Sequence, residues 1–361
     1  MTGSGQAEVL CPVARLQEQV RAILQGWKLS AACVEAATNG LSYADLHGID
    51  SHGVAMVPIY EKWLNQGRFN LNPQPRATSE TSVTALIDGD HSMGFLPANL
   101  AMDMAIEKAR NNGVAVVCVN RSNHFGAAGQ YVRRAADQGL IGFAASNTVD
   151  VAVVPTGGRD SRFGTNPLAF AAPAAGQRPF LLDMATSTVA LGKLMAAQYR
   201  GESIPEGWAL DELGQPTTDP ARGYAARRAT PLGGTANLSS HKGYGLAAMV
   251  EILSSALTGA RWAPDSDSDP SLSKGNVGHC FMVLDPSLFR GKDELEHAVG
   301  RMMRVLRDTP SVVPDQPVKV AGDPEYEASD LRQVEGIHLP SALALALRGV
   351  AQRAGARWLL N

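Results

Sequence analysis

Residues 82–119, SVTALIDGDHSMGFLPANLAMDMAIEKARNNGVAVVCV, decide the fold class. Ser82 to Asp88 (SVTALID) is a run of β-branched and apolar side chains that stops at the turn signal Asp88-Gly89-Asp90, so a strand is expected there. Pro97 opens a helix to about Asn112, closed by Gly113, because proline suits the first helical turn and glycine the residue just past the last. Val114 to Val119 is an apolar run too short for anything but a buried strand. Strand, helix and strand in one stretch read as an α/β layer.

Downstream the alternation continues. A helix is expected at about Ala127 to Gln138 and strands at Leu140 to Ser146, Leu168 to Ala172 and Phe180 to Met184, followed by a helix at Thr188 to Arg200. Residues 201–236, rich in Gly, Pro and Thr without a period, read as a long surface excursion rather than an element. Between Lys242 and Gly259 the side chains of Leu246, Met249, Val250, Leu253 and Leu257 form one apolar helical stripe. Pro264 to Lys274 reads as a mobile polar loop, Val277 to Leu284 as a strand and Asp293 to Asp308 as a helix. Both ends are helical: Leu16, Val20, Ile23, Leu24 and Trp27 share a face, Ser30 is an N-cap for the next helix, and Leu343, Leu347 and Val350 share a face near the C-terminus.

With 361 residues, two domains are expected at roughly 150 residues each. Apolar residues at 45% against charged residues at 19% exclude disorder for most of the chain. A formal charge of -3 gives no field that draws the protein to nucleic acid or acidic membranes. The N-terminus lacks the basic and apolar regions of a secretion signal, and no run approaches the ~18 apolar residues of a spanning helix, so a soluble cytoplasmic protein is expected. The cysteines, Cys11, Cys33, Cys118 and Cys280, show no zinc-type spacing, and no metal is expected.

Five segments can carry chemistry. In Asp45 to Pro58 (DLHGIDSHGVAMVP), His47 and His52 each precede a glycine that lets a ligand approach, and imidazole exchanges protons near neutral pH; either ring can equally be capping a helix. Asn123 to Gly129 (NHFGAAG) follows a strand and opens a helix, a reasonable cradle for a pyrophosphate, although it is not G-x-G-x-x-G and that fingerprint occurs nowhere in the chain. Gly158 to Pro167 (GRDSRFGTNP) carries arginines suited to carboxylate or phosphate, Arg162 being the better placed. Asp183 to Ser187 (DMATS) puts an acid at a strand end, where it can orient an imidazole or bind ribose, and His241 to Leu246 (HKGYGL) puts Lys242 at a helix start. Together these describe a nucleotide-cofactor site with an acid-base histidine better than a hydrolase, since no G-x-S-x-G elbow is present and adjacent Ser51 and His52 rarely form a nucleophile and base. A binding module without catalysis ranks last.

The ordered motifs SHG, NHFGAAG, FGTNP, DMATS and HKGYGLA resemble the malate/L-lactate dehydrogenase family of NAD(P)-dependent oxidoreductases, over about Leu41 to Leu284, with its hydroxycarboxylate dehydrogenase subgroup the nearest in DSHGVAMVPIY. The resemblance implies a non-Rossmann α/β fold: a mixed, largely antiparallel sheet with flanking helices spans residues 76–324, and a helical domain is built from residues 1–75 with 325–361. It implies NAD or NADP as cofactor, a 2-oxo/2-hydroxy acid as substrate and a homodimer with the site near its interface. In that family the SHG histidine exchanges the proton, aided by the preceding serine and the DMATS aspartate; here these are His52, Ser51 and Asp183, with His124 as the rival base. Cofactor contacts are implied at His124, Phe125, Gly126, Ala127 and Ala128, at Thr165, at Asp183, Met184, Ala185, Thr186 and Ser187, at Lys242 and Gly243, and at Gly322 and Asp323. Many members carry an arginine four residues after the SHG histidine to pair with the substrate carboxylate. Here that position is Met56, so Arg162, Arg121 or Lys242 is expected to take over, and a reductase of cyclic imine 2-carboxylates is the alternative activity.

Overall fold

The computed structural model describes residues 9–148, 150–262, 264 and 274–360. The loop expected at 264–274 falls, apart from its end residues, outside them.

The helices are α1 (Val13–Gly26), α2 (Ala31–Leu46), α3 (Val57–Asn65), α4 (Phe95–Asn112), α5 (Gly129–Ala136), α6 (Leu191–Arg200), α7 (Pro220–Ala226), α8 (His241–Glu251), α9 (Lys292–Arg307), α10 (Asp323–Glu335) and α11 (Ser341–Arg353). The strands are β1 (Val9–Cys11), β2 (Arg76–Glu80), β3 (Thr84–Asp88), β4 (Val114–Ser122), β5 (Ile141–Ser146), β6 (Leu168–Ala172), β7 (Phe180–Met184), β8 (Ala209–Leu210), β9 (Pro216–Thr217), β10 (Val277–Leu284) and β11 (Ile337–Leu339). Local chemistry explains many of the boundaries. Ser30 accepts the backbone N–H of Cys33 at the start of α2, and Gly113 ends α4 at a φ of 87°, a conformation glycine adopts without strain.

Seven strands form one sheet in the order β2-β3-β4-β10-β5-β6-β7. Only β3 and β4 run parallel, as α4 between them requires; every other pair is antiparallel. β10 lies at the centre, with Phe281 opposite Val117 of β4 and Ala144 of β5. It is buried on both faces, which is why it reads as a continuous apolar run. Against one face α4 and α5 lay small side chains, Ala98, Ala101, Ala105 and Ala135, that let them approach Val117, Val119, Phe281 and Val283 closely. Burying each of the larger side chains contributes about 1.5–3 kcal/mol.

A second core collects both ends of the chain. Leu16, Val20, Ile23 and Leu24 of α1 pack with Leu347 and Val350 of α11, and β1 pairs antiparallel with β11. Among the described residues no helix is long and apolar enough to cross a membrane.

Two sequence expectations are corrected. Residues 201–236 are not an excursion without elements: β8 and β9 form a hairpin and α7 packs on it, with Gly223 where a Cβ would lie 2.7 Å from that of Ala209. Two-residue strands are too short to show a period. The helix after Lys242 does not bury its whole stripe. Beyond Glu251 it widens into a π-helical stretch, Ile252–Ala256, whose extra residue turns Ser254 and Ser255 inward and leaves Leu257 59% exposed. β2, a polar edge strand, has no alternation to announce it and carries no expectation from the sequence.

Candidate active site

The loop between α2 and α3 is held from below by a buried carboxylate. Both oxygens of Asp45 accept the backbone N–H of Val54, at 3.2 and 2.9 Å. A Cβ on Gly53 would lie 1.7 Å from Asp45 Oδ1, so only glycine lets the acid reach under the turn. Arg332 of α10 ties down the outer side, donating to the carbonyl of Asp45 and pairing with the Asp50 carboxylate. Between these anchors Asp50–His52 forms a single 3-10 turn that presents Ser51 and His52.

Burial pushes the Asp45 carboxyl up to about 7. That lies above an ordinary carboxyl near ~4, so its stabilising contribution is complete below about pH 4 and is lost as pH rises through about 7. Asp45→Asn cannot ionise and should flatten that loss. Melting temperatures of both proteins between about pH 4 and about pH 8 check this; parallel curves would refute it.

The two histidines of the loop have different fates. His47 caps α2, donates from Nδ1 to the carbonyl of Tyr43 at 2.8 Å and accepts Arg133 Nη1 on Nε2 at 2.8 Å. Burial and Arg133 drive it down to about 4, so it is a neutral structural ring. His52 bonds through Nδ1 to Ser51 Oγ at 2.9 Å, and Nε2 has no partner among the described residues. Burial lowers its pKa as well, which makes its imidazolium a stronger acid than a free one.

His124 lies against His52 with ring centroids 5.3 Å apart and planes 26° from parallel. Its Nδ1 accepts the Gly126 N–H at 3.3 Å and the Tyr60 hydroxyl at 2.7 Å, so the proton of the neutral ring sits on Nε2. Burial, with His52, His279 and Arg68 nearby, holds His124 well below the ordinary histidine range. Behind it Phe125 stacks on His279 at 4.4 Å, and His279 is bonded to Ser146 Oγ and Ser122 Oγ at 2.8 Å each. Burial takes His279 down to about 3, and it packs as a neutral strut.

These groups border one cleft of about 250 Å³, lined among others by His52, Met56, Trp63, Arg68, His124 and Thr165. Phe125 and Gly126 also line it. Ala127 and Ala128 lead into α5, and the carbonyl of Thr165 accepts the N–H of buried Thr186, two residues past the end of β7, at 2.9 Å.

Other expected site residues stand elsewhere. Asp183 is not paired with His52: its Oδ2 accepts the first backbone N–H of α5, from Gly129, at 2.6 Å. The helix start read as a pyrophosphate cradle is therefore occupied by this carboxylate, whose pKa burial raises to about 6. Met184 is the last residue of β7, Ala185 follows it, and Ser187 is turned onto the carbonyl of Val189. Gly243 is glycine for packing, since a Cβ would lie 2.3 Å from the Leu232 carbonyl oxygen, and Lys242 is exposed away from the cleft lining. Gly322 packs on Leu181 of β7, and Asp323 is engaged by Arg307 at 2.7 Å.

The cations expected to hold substrate stand away from the cleft as well. Arg121 pairs with Asp88 at 2.6 Å, and Arg162 is exposed and bonded to the Ser161 carbonyl at 3.1 Å; neither lines the cleft. Arg68, which sequence reading missed, does line it. A lone arginine after Gly67 in a loop carries no sequence signal beyond Trp63, five residues earlier, over which its guanidinium sits at 4.2 Å.

Comparison with known proteins gives a consistent result. The malate/L-lactate dehydrogenase family matches residues 11–348. Malate dehydrogenase of Pyrococcus abyssi is 37% identical over 322 residues, 89% of this chain and 88% of that protein. Hydroxycarboxylate dehydrogenase B of Escherichia coli is 33% identical over 315 residues, covering 86% and 85%. The crystal structure of malate dehydrogenase from Entamoeba histolytica superposes with a TM-score of 0.92 at 29% identity, over 98% of this chain and 99% of that one. That of delta1-piperideine-2-carboxylate reductase from Pseudomonas syringae gives 0.82 at 28% identity, over 95% and 99%.

Proposed function

The chain belongs to the malate/L-lactate dehydrogenase family, and from that premise we propose a division of labour within its cleft in which His52 exchanges the proton and His124 orients the substrate oxygen. The protein is an oxidoreductase of 2-hydroxy and 2-oxo acids. A nicotinamide cofactor, NAD or NADP, supplies or removes the hydride when bound. The residues present fit its ring: Phe125, Pro167 and Val277 give an apolar slot, while Thr165 offers a partner for a carboxamide. We place the remaining cofactor contacts, as the family resemblance implies, at Ala127, Ala128, Met184 to Ser187, Gly322 and Asp323.

The observation that carries this reading is the asymmetry of the stacked imidazoles. His124 is fixed as a donor through Nε2–H, because Tyr60 and Gly126 fill its Nδ1. His52 has only Ser51 on Nδ1, so its Nε2 is available to give a proton to the oxo oxygen during reduction and take one from the hydroxyl during oxidation. Asp183 acts at a distance, by fixing the start of α5 and hence the loop that carries His124.

We read the protein further as a cytoplasmic homodimer, with a helical domain from residues 1–75 and 325–361 and a catalytic domain over 76–324. The exposed apolar side chains of Ile252 and Leu257 support association of two copies. Reduction of cyclic imine 2-carboxylates is the second reading, favoured by the likeness to the piperideine-2-carboxylate reductase. Loss of nicotinamide absorbance, with NADH and NADPH each paired with pyruvate, oxaloacetate, phenylpyruvate and a cyclic imine acid, separates the two. Turnover of the oxo acids is expected; turnover of the imine alone would transfer the assignment to the second reading.

A further inference from the structure

The reaction needs a cation for the substrate carboxylate, and Met56 occupies the position where the family resemblance leads one to expect it. Arg68 lines the same cleft as His52 and His124, and lies close enough to His124 to act on its charge. Its placement is rigid. Nε donates to Asn123 Oδ1 at 2.9 Å, and Asn123 in turn donates to the Ser92 carbonyl at 2.8 Å and immediately precedes His124. The guanidinium is stacked on Trp63. Its two terminal nitrogens make no hydrogen bond among the described residues, and Asp150 influences it without forming an ion pair. A planar fork fixed at one edge and open at the other is the donor arrangement that receives a carboxylate in two parallel bonds.

The rest of the cleft tells what the acid carries. Met56, Ile59 and Leu191 give it an apolar wall. Its lining also includes Asp150 and Arg227, both exposed and opposite in sign, which offer no net attraction to a second anion.

Resting on the dehydrogenase reading above, we propose that Arg68 receives the carboxylate of the substrate and that the wall of Met56, Ile59 and Leu191 selects 2-oxo monocarboxylic acids with an apolar side chain over dicarboxylic ones. The carboxylate sits on the Arg68 fork, the oxo oxygen turns to the histidine pair, and the side chain lies on the wall.

The test compares acid with ester and wild type with Arg68→Met. Wild type should reduce pyruvate with kcat/KM about 10- to 100-fold above methyl pyruvate, the cost of losing a charge-assisted pair. In Arg68→Met the acid should fall by a similar factor through KM, the ester should not fall further, and cofactor affinity should be unchanged; Arg68→Lys should recover part of the loss. Phenylpyruvate and 4-methyl-2-oxopentanoate should exceed oxaloacetate in kcat/KM. If wild type treats acid and ester alike, or Arg68→Met keeps its preference for the acid, Arg68 does not hold the carboxylate. If oxaloacetate is the better substrate, the selection by the wall is refuted. Failure of every 2-oxo acid with both reduced cofactors would instead bring down the dehydrogenase reading itself.

Discussion

Replacing His52 by alanine is expected to lower turnover about 10²- to 10⁴-fold while cofactor affinity stays nearly unchanged, the range typical of a lost positioned proton donor. The expectation rests on geometry. Ser51 bonds Nδ1 of His52 and leaves Nε2 available, whereas in His124 the ring nitrogen able to accept a proton is already filled by Tyr60 and Gly126. His124→Ala should therefore cost less in turnover and more in substrate binding. The pH dependence has a definite sign. Burial lowers the His52 pKa, so reduction, which needs the imidazolium, should weaken as pH rises through that lowered value, and oxidation, which needs the neutral ring, should rise over the same interval and then level off. Turnover against pH in both directions, beside cofactor titration of the two variants, tests the assignment. A large turnover defect in His124→Ala with near-normal His52→Ala would reverse the roles.

Gly53→Ala is the second large effect. The added Cβ would lie 1.7 Å from Oδ1 and 2.2 Å from Cγ of Asp45, so the carboxylate must leave its place under the loop. Val54 then loses the acceptor of its buried N–H, and a carboxyl has to be repacked, which costs about 2–4 kcal/mol. Because His52 adjoins the displaced turn, a shift of about 1 Å should remove roughly 10² in rate. Gly245→Ala in α8 is the control. A Cβ there meets nothing within 4 Å, and alanine in a helix interior is about 0.5–1 kcal/mol better than glycine. Turnover and melting temperature of the two variants should move in opposite directions or not at all for the control; a Gly53→Ala protein as active and stable as wild type would show that the loop does not depend on Asp45.

Much of this architecture is legible in the linear chain because its signals are local. β6, β7 and β10 have the bounds their apolar runs announce, and α4 ends at the expected glycine. β2, β8 and β9 are not legible, since a polar edge and a two-residue strand present no alternation. The π-helical stretch after Glu251 is likewise silent, because the inserted residue changes the phase of the helix without changing its composition. At the site, the His-Gly and NHFG motifs point to His52 and His124 because a ligand needs small neighbours. Arg68 escapes notice because its significance lies in Trp63, Asn123 and the lack of an anion partner, and only the folded chain brings these together. Asp183 stands out in the sequence as an acid at a strand end, but its contact with Gly129 depends on β7 lying beside α5.

The strand at the middle of the large sheet is made late in synthesis. β10 joins β4 to β5, yet it leaves the ribosome long after both, so a nascent chain that has not reached Val277 carries two apolar strands with open edges. Such an intermediate is sticky, and the loop closure that ends it is entropically slow. The His279 ring that backs Phe125 arrives with the same strand, so the sheet and the pocket wall are completed in one event. A truncated translation product ending before it would be prey for chaperones and proteases rather than a smaller enzyme.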